Sequence, residues 1–236
     1  MSLVEINTWI IVPAAGVGRR FGGDVPKQYQ QLLGKPVIEH TLERLLQLED
    51  VQLVVAVSSE DTLWQQLAVF QDPRVQTTTG GEERADSVRL ALEFLQGKAQ
   101  QDDWVLVHDV ARPCVRVQDI QHLMTKLDSH KTGGVLATPV SDTVKRVLDE
   151  SNIDSTEDRS QLWAAQTPQM FRYGLLLESL QKAVQQQYQP TDESAAVERL
   201  GYTPCVVEGS RDNIKVTRLE DMAIAEAIMK YQQEQL

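Results

Sequence analysis

Two arginines and a lysine follow an apolar run near the start of the chain. The segment from Ile10 to Lys27 reads IIVPAAGVGRRFGGDVPK, in which Arg19, Arg20 and Lys27 come after a loop of small residues. The apolar run suits a buried parallel strand, and small residues let a ligand approach the backbone amides. Such amides cradle the oxygens of a polyphosphate, and cations neutralise its charge. The segment predicts a phosphate site; a tight turn with solvated basic residues is the competing interpretation.

Two familiar glycine loops do not fit this segment. The dinucleotide fingerprint G-x-G-x-x-G fails because the third position after Gly18 is Phe21, and the P-loop requires a Gly-Lys-Ser/Thr sequence that is missing here. The loop instead resembles the signature of the sugar nucleotidyltransferases, in which a small-residue loop is followed by G-x-G-x-R and a downstream P-K. The matching residues are Gly16, Gly18, Arg20, Pro26 and Lys27.

Two further motifs carry polar groups at the ends of predicted strands. GGEERADSV begins at Gly80 and places a double glycine before a helix whose first turn offers free amides. VHDVARP begins at Val107 and places Asp109 directly after a buried strand. A carboxylate facing a polyphosphate commonly positions magnesium or a sugar hydroxyl. The alternatives are an ordinary strand-to-helix turn at Gly80 and an Asp-Arg ion pair that closes a loop at Asp109.

The last two motifs lie in the second half of the chain. AAQTPQMF carries Thr167 and Gln169 on either side of a proline, as ligand donors or as a polar turn. DNIKVT predicts a short strand over residues 213–217, in which Lys215 points away from the face shared by Ile214 and Val216. Lys215 is then either a cation delivered to the site or a lysine that faces solvent.

Strand-like apolar runs alternate with segments of helical period through the first half of the chain. TWIIVPAA is followed by EHTLERLLQ, VQLVVAVS by TLWQQLAVF, VQTTTG by ADSVRLALEFL, and WVLVHDV by VQDIQHLMTKL. This order predicts an α/β fold with a doubly wound, mostly parallel sheet and helices on both faces. Ligands of such sheets bind at the carboxyl ends of the strands. The opening loop, the double glycine and Asp109 all fall at that edge.

The second half of the chain departs from this alternation. Residues 140–161 predict a β-hairpin arm on a single domain that spans residues 1–236. Because an isolated two-stranded ribbon is marginal in water, the arm is expected to pack on a second subunit in a homodimer. Helices are predicted at YGLLLESLQKAVQQ and DESAAVERLG, a strand at PCVVEG, and a last helix from Arg218 with Thr217 and Glu220 as a capping box.

The composition of the chain limits its possible binding partners and its cellular location. The 236 residues include 23 basic and 34 acidic ones, and the formal charge of −11 argues against general nucleic-acid binding. The N-terminal apolar run is too short to span a bilayer and lacks a cationic start, so a cytoplasmic protein with no membrane association is expected. Cys114 and Cys205 are expected to be reduced, and neither they nor the histidines show the spacing of a structural zinc site.

Eight motifs in series resemble the 2-C-methyl-D-erythritol 4-phosphate cytidylyltransferase family across almost the full chain. They are PAAGVGRR, PKQY, GGEERADSV, VHDVARP, SDTVKR, EDRSQLWAAQTPQ, TDESAAVE and VEGSRDNIKVT. The resemblance implies a Rossmann-like nucleotidyltransferase fold and transfer of a cytidylyl group from CTP to the sugar-alcohol phosphate, with Mg²⁺ as cofactor. The product would be the cytidine-diphosphate intermediate of non-mevalonate isoprenoid biosynthesis. Val110 departs from the alanine that is usual in this family and bears on how the acceptor fits.

The resemblance also implies roles for individual residues. Catalytic roles in stabilising phosphate charge fall to Arg20, Lys27 and Lys215. Nucleotide binding falls to Ala14, Ala15, Gly16, Gly18, Gly81, Arg84 and Ser87. Acceptor binding falls to Asp109, Arg112 and Thr167, with Thr143 and Arg159 supplied by the partner's arm. Asp109 is also the candidate magnesium ligand, although the metal would be held mainly by the phosphates of CTP.

The implied chemistry needs no general base. A phosphate monoester has a second pKa of about 6, so it is mostly a dianion at neutral pH. Catalysis would then consist of in-line attack on the α-phosphate, with positioning and charge neutralisation by the protein.

Three alternatives stay open from the sequence. Ribitol 5-phosphate cytidylyltransferase shares the nucleotide-side pattern and differs at the acceptor. A nicotinamide-dependent oxidoreductase would need an acidic residue at the end of the second strand, where this chain has Val57, Ser58 and Ser59. A non-catalytic nucleotide sensor would have no reason to combine Lys27, Lys215 and Arg159.

Overall fold

The computed structural model describes residues 7–16, 25–149 and 151–235 of the chain. The strands in these ranges are β1 (Thr8–Pro13), β2 (Gln31–Leu32), β3 (Lys35–Pro36), β4 (Val51–Val57), β5 (Val75–Thr79), β6 (Trp104–Val107), β7 (Gly133–Pro139), β8 (Lys145–Val147), β9 (Ile153–Thr156), β10 (Trp163–Arg172) and β11 (Cys205–Glu208). The α-helices are α1 (Val37–Leu45), α2 (Arg84–Phe94), α3 (Val117–Leu127), α4 (Tyr173–Gln185), α5 (Glu193–Arg199) and α6 (Glu220–Gln233).

Seven of these strands form one twisted central sheet in the order β11-β7-β10-β6-β1-β4-β5. The pairs β1–β4, β1–β6, β4–β5 and β7–β11 are parallel. Strand β10 is antiparallel to both of its neighbours, β6 and β7. The structure therefore confirms the predicted mostly parallel α/β sheet and adds an antiparallel strand next to its centre.

Alternation along the strands builds a hydrophobic core on each face of the sheet. In β1, Ile10 and Val12 pack in one core with α1 and α3, whereas Trp9 and Ile11 pack in a second core with α2 and α4. Successive side chains of a strand point to opposite faces, so an unbroken apolar run can feed both cores. This double burial explains why the run lacks the polar alternation of a half-exposed strand.

The segment TLWQQLAVF is not the α-helix that its apolar spacing predicts. It forms two 3-10 turns, Leu63–Gln66 and Ala68–Gln71, separated by Leu67 in an extended conformation with φ −91° and ψ 127°. The break turns Val69 and Phe70 into the core under α1. Helical spacing over nine residues was therefore a misleading signal here.

Residues 213–217, predicted as a strand, form a loop outside the sheet. The Val216 amide donates to the Ala111 carbonyl at 2.8 Å, and the Val216 side chain is fully buried. The burial of Val216 thus agrees with the predicted alternation of side chains. The backbone of residues 213–217, however, has no neighbouring strand with which to form a ladder of hydrogen bonds.

The last helix also begins later than predicted, at Glu220. The carboxylate that hydrogen-bonds to Thr217 at the start of this helix belongs to Asp221, not to Glu220. Asp221 Oδ2 accepts from the Thr217 amide at 2.7 Å and from the Thr217 hydroxyl at 2.9 Å.

Strands β8 and β9 pair with each other as a separate antiparallel ribbon, which confirms the predicted hairpin. Val147, Leu148 and Ile153 in this ribbon are 56%, 75% and 60% exposed. Such exposure of large aliphatic side chains is unusual for a hairpin without a packing partner.

None of the helices in the described ranges is both long and apolar enough to cross a membrane.

Candidate active site

A cleft lies at the carboxyl edge of the central sheet, where β1 and β6 end and α2 begins. Five separate segments of the chain line it, and three of them are the opening loop, the double-glycine turn and the segment after β6 that carries Asp109. The lining residues are Pro13, Ala14, Ala15, Gly16, Lys27, Gly81, Glu82, Glu83, Arg84, Ser87, Asp109, Val110, Ala111, Lys215 and Thr217. Gly18 and Arg20 lie outside the described residues.

Gln28 ties Lys27 to the loop that follows β1. The Ala14 amide continues the sheet by donating to the Ala56 carbonyl at 2.8 Å. The Gln28 side chain is 2% exposed, and its Nε2 donates to the Ala14 carbonyl at 2.9 Å. Because Lys27 directly precedes Gln28 in a 3-10 turn, this bond fixes the backbone of Lys27 beside the small-residue loop.

The double glycine is required by close packing. A Cβ at Gly80 would come within 2.5 Å of Ala15 Cβ, and a Cβ at Gly81 within 2.4 Å of Asp86 Cβ. The Ser87 hydroxyl accepts from the Gly81 amide at 3.1 Å. Ser87 therefore ties this turn to the start of α2, in addition to lining the cleft.

Asp109 follows β6 and sits among three cations. Its Oδ1 lies 2.7 Å from Arg84 Nε, and its Oδ2 lies 2.8 Å from Lys215 Nζ and 3.6 Å from Arg112 Nε. Burial by itself raises the pKa of Asp109, but the charges of Arg84, Lys215 and Arg112 outweigh it and hold that pKa well below its usual range. The carboxylate therefore stays ionised, and it holds Lys215 at the cleft.

Arg112 and Thr167 lie behind Asp109 rather than on the surface of the cleft. Arg112 Nη1 donates to the Asn213 carbonyl at 2.6 Å, and its side chain is 12% exposed. Thr167 is in β10, where the register with β7 shifts between Ala165 and Gln169. Its Oγ1 accepts from the Asp109 amide at 3.0 Å. Both residues hold Asp109 in place; their predicted contact with the acceptor remains a prediction.

His108 also belongs to this site; the sequence placed it at this edge beside Asp109 but gave it no role. It is fully buried, with Nε2 3.2 Å from the Arg112 carbonyl and Nδ1 3.1 Å from Thr167 Oγ1. A carbonyl only accepts, so Nε2 carries the proton and Nδ1 accepts from the Thr167 hydroxyl. Thr167 then joins the histidine ring to the backbone of Asp109.

This arrangement predicts a loss of stability in mild acid. Burial lowers the pKa of His108 to about 4, although the charge of Asp109 opposes the shift. Between the ordinary histidine pKa of about 6.5 and that value, the unfolded chain binds a proton that the folded chain does not. We expect the free energy of unfolding to fall by about 2 kcal/mol from pH 6.5 to pH 4.5 through this group.

Urea unfolding at the two pH values measures the effect. His108→Gln should remove most of this pH dependence, whereas the exposed His122→Gln on α3 should keep it. An unchanged dependence in His108→Gln would assign it to other groups.

Glu193 is the second residue that the sequence did not single out, although it lies in the TDESAAVE motif. It is 1% exposed at the start of α5, and its Oε1 and Oε2 accept from Arg84 Nη1 and Nη2 at 2.6 and 3.0 Å. Burial by itself lowers the pKa of Arg84, but the two carboxylates Glu193 and Asp109 outweigh it and raise that pKa. An acidic residue in the first turn of a short helix was the available signal.

Thr143 and Arg159 lie in the arm, are exposed and do not line the cleft of their own chain. The Arg159 guanidinium donates to the Ser141 carbonyl within the arm. Their delivery to a partner's site remains a prediction.

Asp109 is a poor fit to the predicted magnesium ligand. Its two oxygens already accept from Arg84 and Lys215. Within the described ranges, no group of three or more His, Cys, Asp or Glu side chains could hold a metal ion. A metal ion bound by Asp109 would displace these cations. The positively charged groups around Asp109 therefore suit a ligand with anionic oxygens better than a divalent cation.

The cleft as a whole can bind a phosphate chain and a polyol. Lys27, Arg84 and Lys215 supply positive charge, and the loop after β1 brings the backbone close. Asp109 supplies an ionised acceptor for a hydroxyl. This is a site for positioning and neutralising phosphates rather than for proton abstraction.

Solved structures share this fold over nearly the full chain. A crystal structure of 4-diphosphocytidyl-2C-methyl-D-erythritol synthase matches with a TM-score of 0.82 and 37% identity over 96% of this chain and 100% of that one. The Francisella tularensis 2-C-methyl-D-erythritol 4-phosphate cytidylyltransferase matches with a TM-score of 0.82 and 34% identity over 94% of this chain and 99% of that one. Fold and cleft together define an α/β nucleotidyltransferase.

Sequence comparison narrows the class to one family. The family model for 2-C-methyl-D-erythritol 4-phosphate cytidylyltransferase matches residues 8–231. A protein of that name from Vibrio vulnificus is 52% identical over 217 residues, 92% of each chain. Another from Hahella chejuensis is 45% identical over 230 residues, 97% of this chain and 95% of that one. The chain belongs to the 2-C-methyl-D-erythritol 4-phosphate cytidylyltransferase family.

Proposed function

We propose that this chain transfers the cytidylyl group of CTP to 2-C-methyl-D-erythritol 4-phosphate in non-mevalonate isoprenoid biosynthesis. The products are 4-diphosphocytidyl-2-C-methyl-D-erythritol and pyrophosphate. The observation that carries the proposal is the joint presence of Lys27, Lys215 and Asp109 in the cleft of a chain of this family. Membership of the family supplies the substrates, and the cleft supplies the groups that such a transfer needs.

In the proposed reaction, an oxygen of the acceptor phosphate attacks the α-phosphorus of CTP in line. A new P–O bond forms as the bond to the bridging oxygen breaks, and pyrophosphate leaves with the electron pair. Lys27 and Lys215 stabilise the oxygens on which charge accumulates. Arg20, which follows the small-residue loop in the sequence, is proposed to join them.

The acceptor is proposed to lie over the end of β6. The ionised carboxylate of Asp109 would accept from a hydroxyl, and its ion pair with Lys215 keeps that lysine at the reacting phosphate. Val110 also lines the cleft, and it is 5% exposed within the adjoining hydrophobic core. Because it directly follows Asp109, its two extra methyl groups relative to alanine are proposed to affect acceptor fit more than nucleotide binding.

Magnesium is proposed to enter the site with CTP, held by the phosphates of the nucleotide. Bound there, it would neutralise phosphate charge and favour departure of pyrophosphate. The proposal gives the protein no metal ligand of its own, in keeping with the cationic surroundings of Asp109.

The protein is further proposed to work in the cytoplasm as a homodimer in which the arm of each subunit reaches the other's cleft. The exposed aliphatic side chains of the β8–β9 ribbon support the dimer, because a partner surface would cover them. Arg159 and Thr143 would then contact the acceptor in the neighbouring site. The free thiols of Cys114 and Cys205 are in keeping with a reducing compartment.

Pyrophosphate release over a panel of nucleotides tests the donor half of the proposal. With the methylerythritol phosphate and magnesium present, CTP should be the best donor. ATP and GTP should fail because a purine is too large for the base pocket of the family, and UTP should lose hydrogen bonds at the exocyclic position. Equal turnover of UTP and CTP would contradict the proposed base selection, and no release with CTP would contradict the proposed function.

A further inference from the structure

We propose that Glu193 is a positioning residue that orients Arg84 and, through it, Asp109 in the cleft. The inference rests on the proposed function. Arg84 bridges two carboxylates with different donors: its Nε donates to Asp109 Oδ1 at 2.7 Å, and its Nη1 and Nη2 donate to the two oxygens of Glu193. A bidentate pair fixes the plane of a guanidinium as well as its position. Glu193 therefore sets the direction in which Arg84 presents its Nε to Asp109.

The location of the two partners supports a role beyond packing. The Arg84 side chain is 27% exposed and lines the cleft, whereas that of Glu193 is 1% exposed behind it. Both oxygens of a deeply buried carboxylate are thus directed to a single residue that substrates can touch. Burying a carboxylate without a partner costs free energy. Rotation of Arg84 away from Glu193 would leave the buried carboxylate unpaired and is therefore unfavourable.

The start of α5 is itself anchored to the central sheet, so Glu193 is a rigid support. Asp192 caps the helix, with its Oδ1 accepting from the Ala195 amide at 2.9 Å. Gln169 of β10 then clamps this end of the helix: its Nε2 donates to Asp192 Oδ2 at 2.8 Å, and its Oε1 accepts from the Ser194 amide at 2.9 Å.

Strand β10 consequently supports the site from two sides. Thr167 accepts from the Asp109 amide, and Gln169, two residues further on, holds the helix that carries Glu193. Asp109 is therefore positioned through its backbone by Thr167 and through its carboxylate by Arg84. This linkage gives a specific use to the two polar residues that flank Pro168.

The test compares two Glu→Gln variants. Each removes the negative charge of a glutamate that pairs with an arginine of α2. Glu193→Gln keeps the shape of the side chain but weakens its grip on Arg84. Glu93→Gln is the matched control, because Glu93 pairs with Arg89 at 2.7 Å on the same helix and away from the cleft. We expect kcat/KM for CTP to fall about 100-fold in Glu193→Gln, since a small misplacement of a site group can cost that much. Glu93→Gln should stay within about twofold of wild type.

An Arg84→Gln background separates positioning from a general structural role. If Glu193 acts through Arg84, adding Glu193→Gln to Arg84→Gln should change kcat/KM by no more than about twofold. A further loss of about tenfold or more in the double variant would overturn the proposal, because Glu193 would then act independently of Arg84. Should Glu193→Gln alone fail to fold, the double variant still carries the test, since it removes both charges of the pair.

The same assay distinguishes a failure of the positioning role from a failure of the proposed function. Wild-type protein without activity on CTP and the methylerythritol phosphate would contradict the proposed function itself. Active wild-type protein together with a Glu193→Gln variant as active as Glu93→Gln would contradict only the positioning role.

Discussion

We expect Lys27→Ala and Lys215→Ala each to lower kcat by about 100- to 1,000-fold, the cost of losing one donor that stabilises developing charge. Both lysines line the cleft, and Lys215 is held 2.8 Å from Asp109 at its edge. Neither belongs to the apolar cores, so the fold should persist. Steady-state kinetics with saturating CTP and acceptor measures the change, and circular dichroism checks the fold.

Two lysines outside the cleft provide the controls. Lys35 pairs with Glu43, and Lys230 pairs with Glu226 on α6. Removal of either exposed ion pair should leave kcat within about twofold of wild type, because such pairs contribute little. Near-normal turnover in a folded Lys27→Ala or Lys215→Ala protein would remove that lysine from the mechanism.

The second large effect concerns the arm. Arg159→Ala should abolish most activity if the arginine completes the partner's site, although it does not line the cleft of its own chain. Mixing Arg159→Ala chains with Lys27→Ala chains should then restore activity. With random exchange, half of the dimers are mixed and each has one intact site, so about a quarter of the wild-type activity is expected.

A matched mixture tests whether rescue depends on shared sites. Lys27→Ala mixed with Lys215→Ala should not recover activity, because both lysines line the same cleft and each mixed site lacks one of them. Absence of rescue between Arg159→Ala and Lys27→Ala, despite demonstrated subunit exchange, would contradict the shared-site dimer.

Local signals explain why much of the fold was predictable. The apolar run of β1, the small residues after it and the double glycine at Gly80 each act over a few residues. Their convergence then follows from the rule that parallel strands end at a common edge. The hairpin was equally predictable, because its charged and alternating residues interrupt the β-α order.

Long-range contacts explain what the sequence did not reveal. Arg84 and Glu193 are 109 residues apart in the chain, and Thr167 and His108 are 59 apart. No periodicity marks such pairs. Residues 213–217 show the converse case: their alternation is genuine, but the neighbouring backbone at Ala111 offers one bond instead of a ladder.

The most direct test of the central claim is a comparison of acceptors with CTP as donor. Specificity is the ratio of kcat/KM values, so initial rates of pyrophosphate release should be measured for 2-C-methyl-D-erythritol 4-phosphate and for ribitol 5-phosphate. The proposed function predicts a higher kcat/KM for the methylerythritol phosphate. A higher kcat/KM for ribitol 5-phosphate would contradict it.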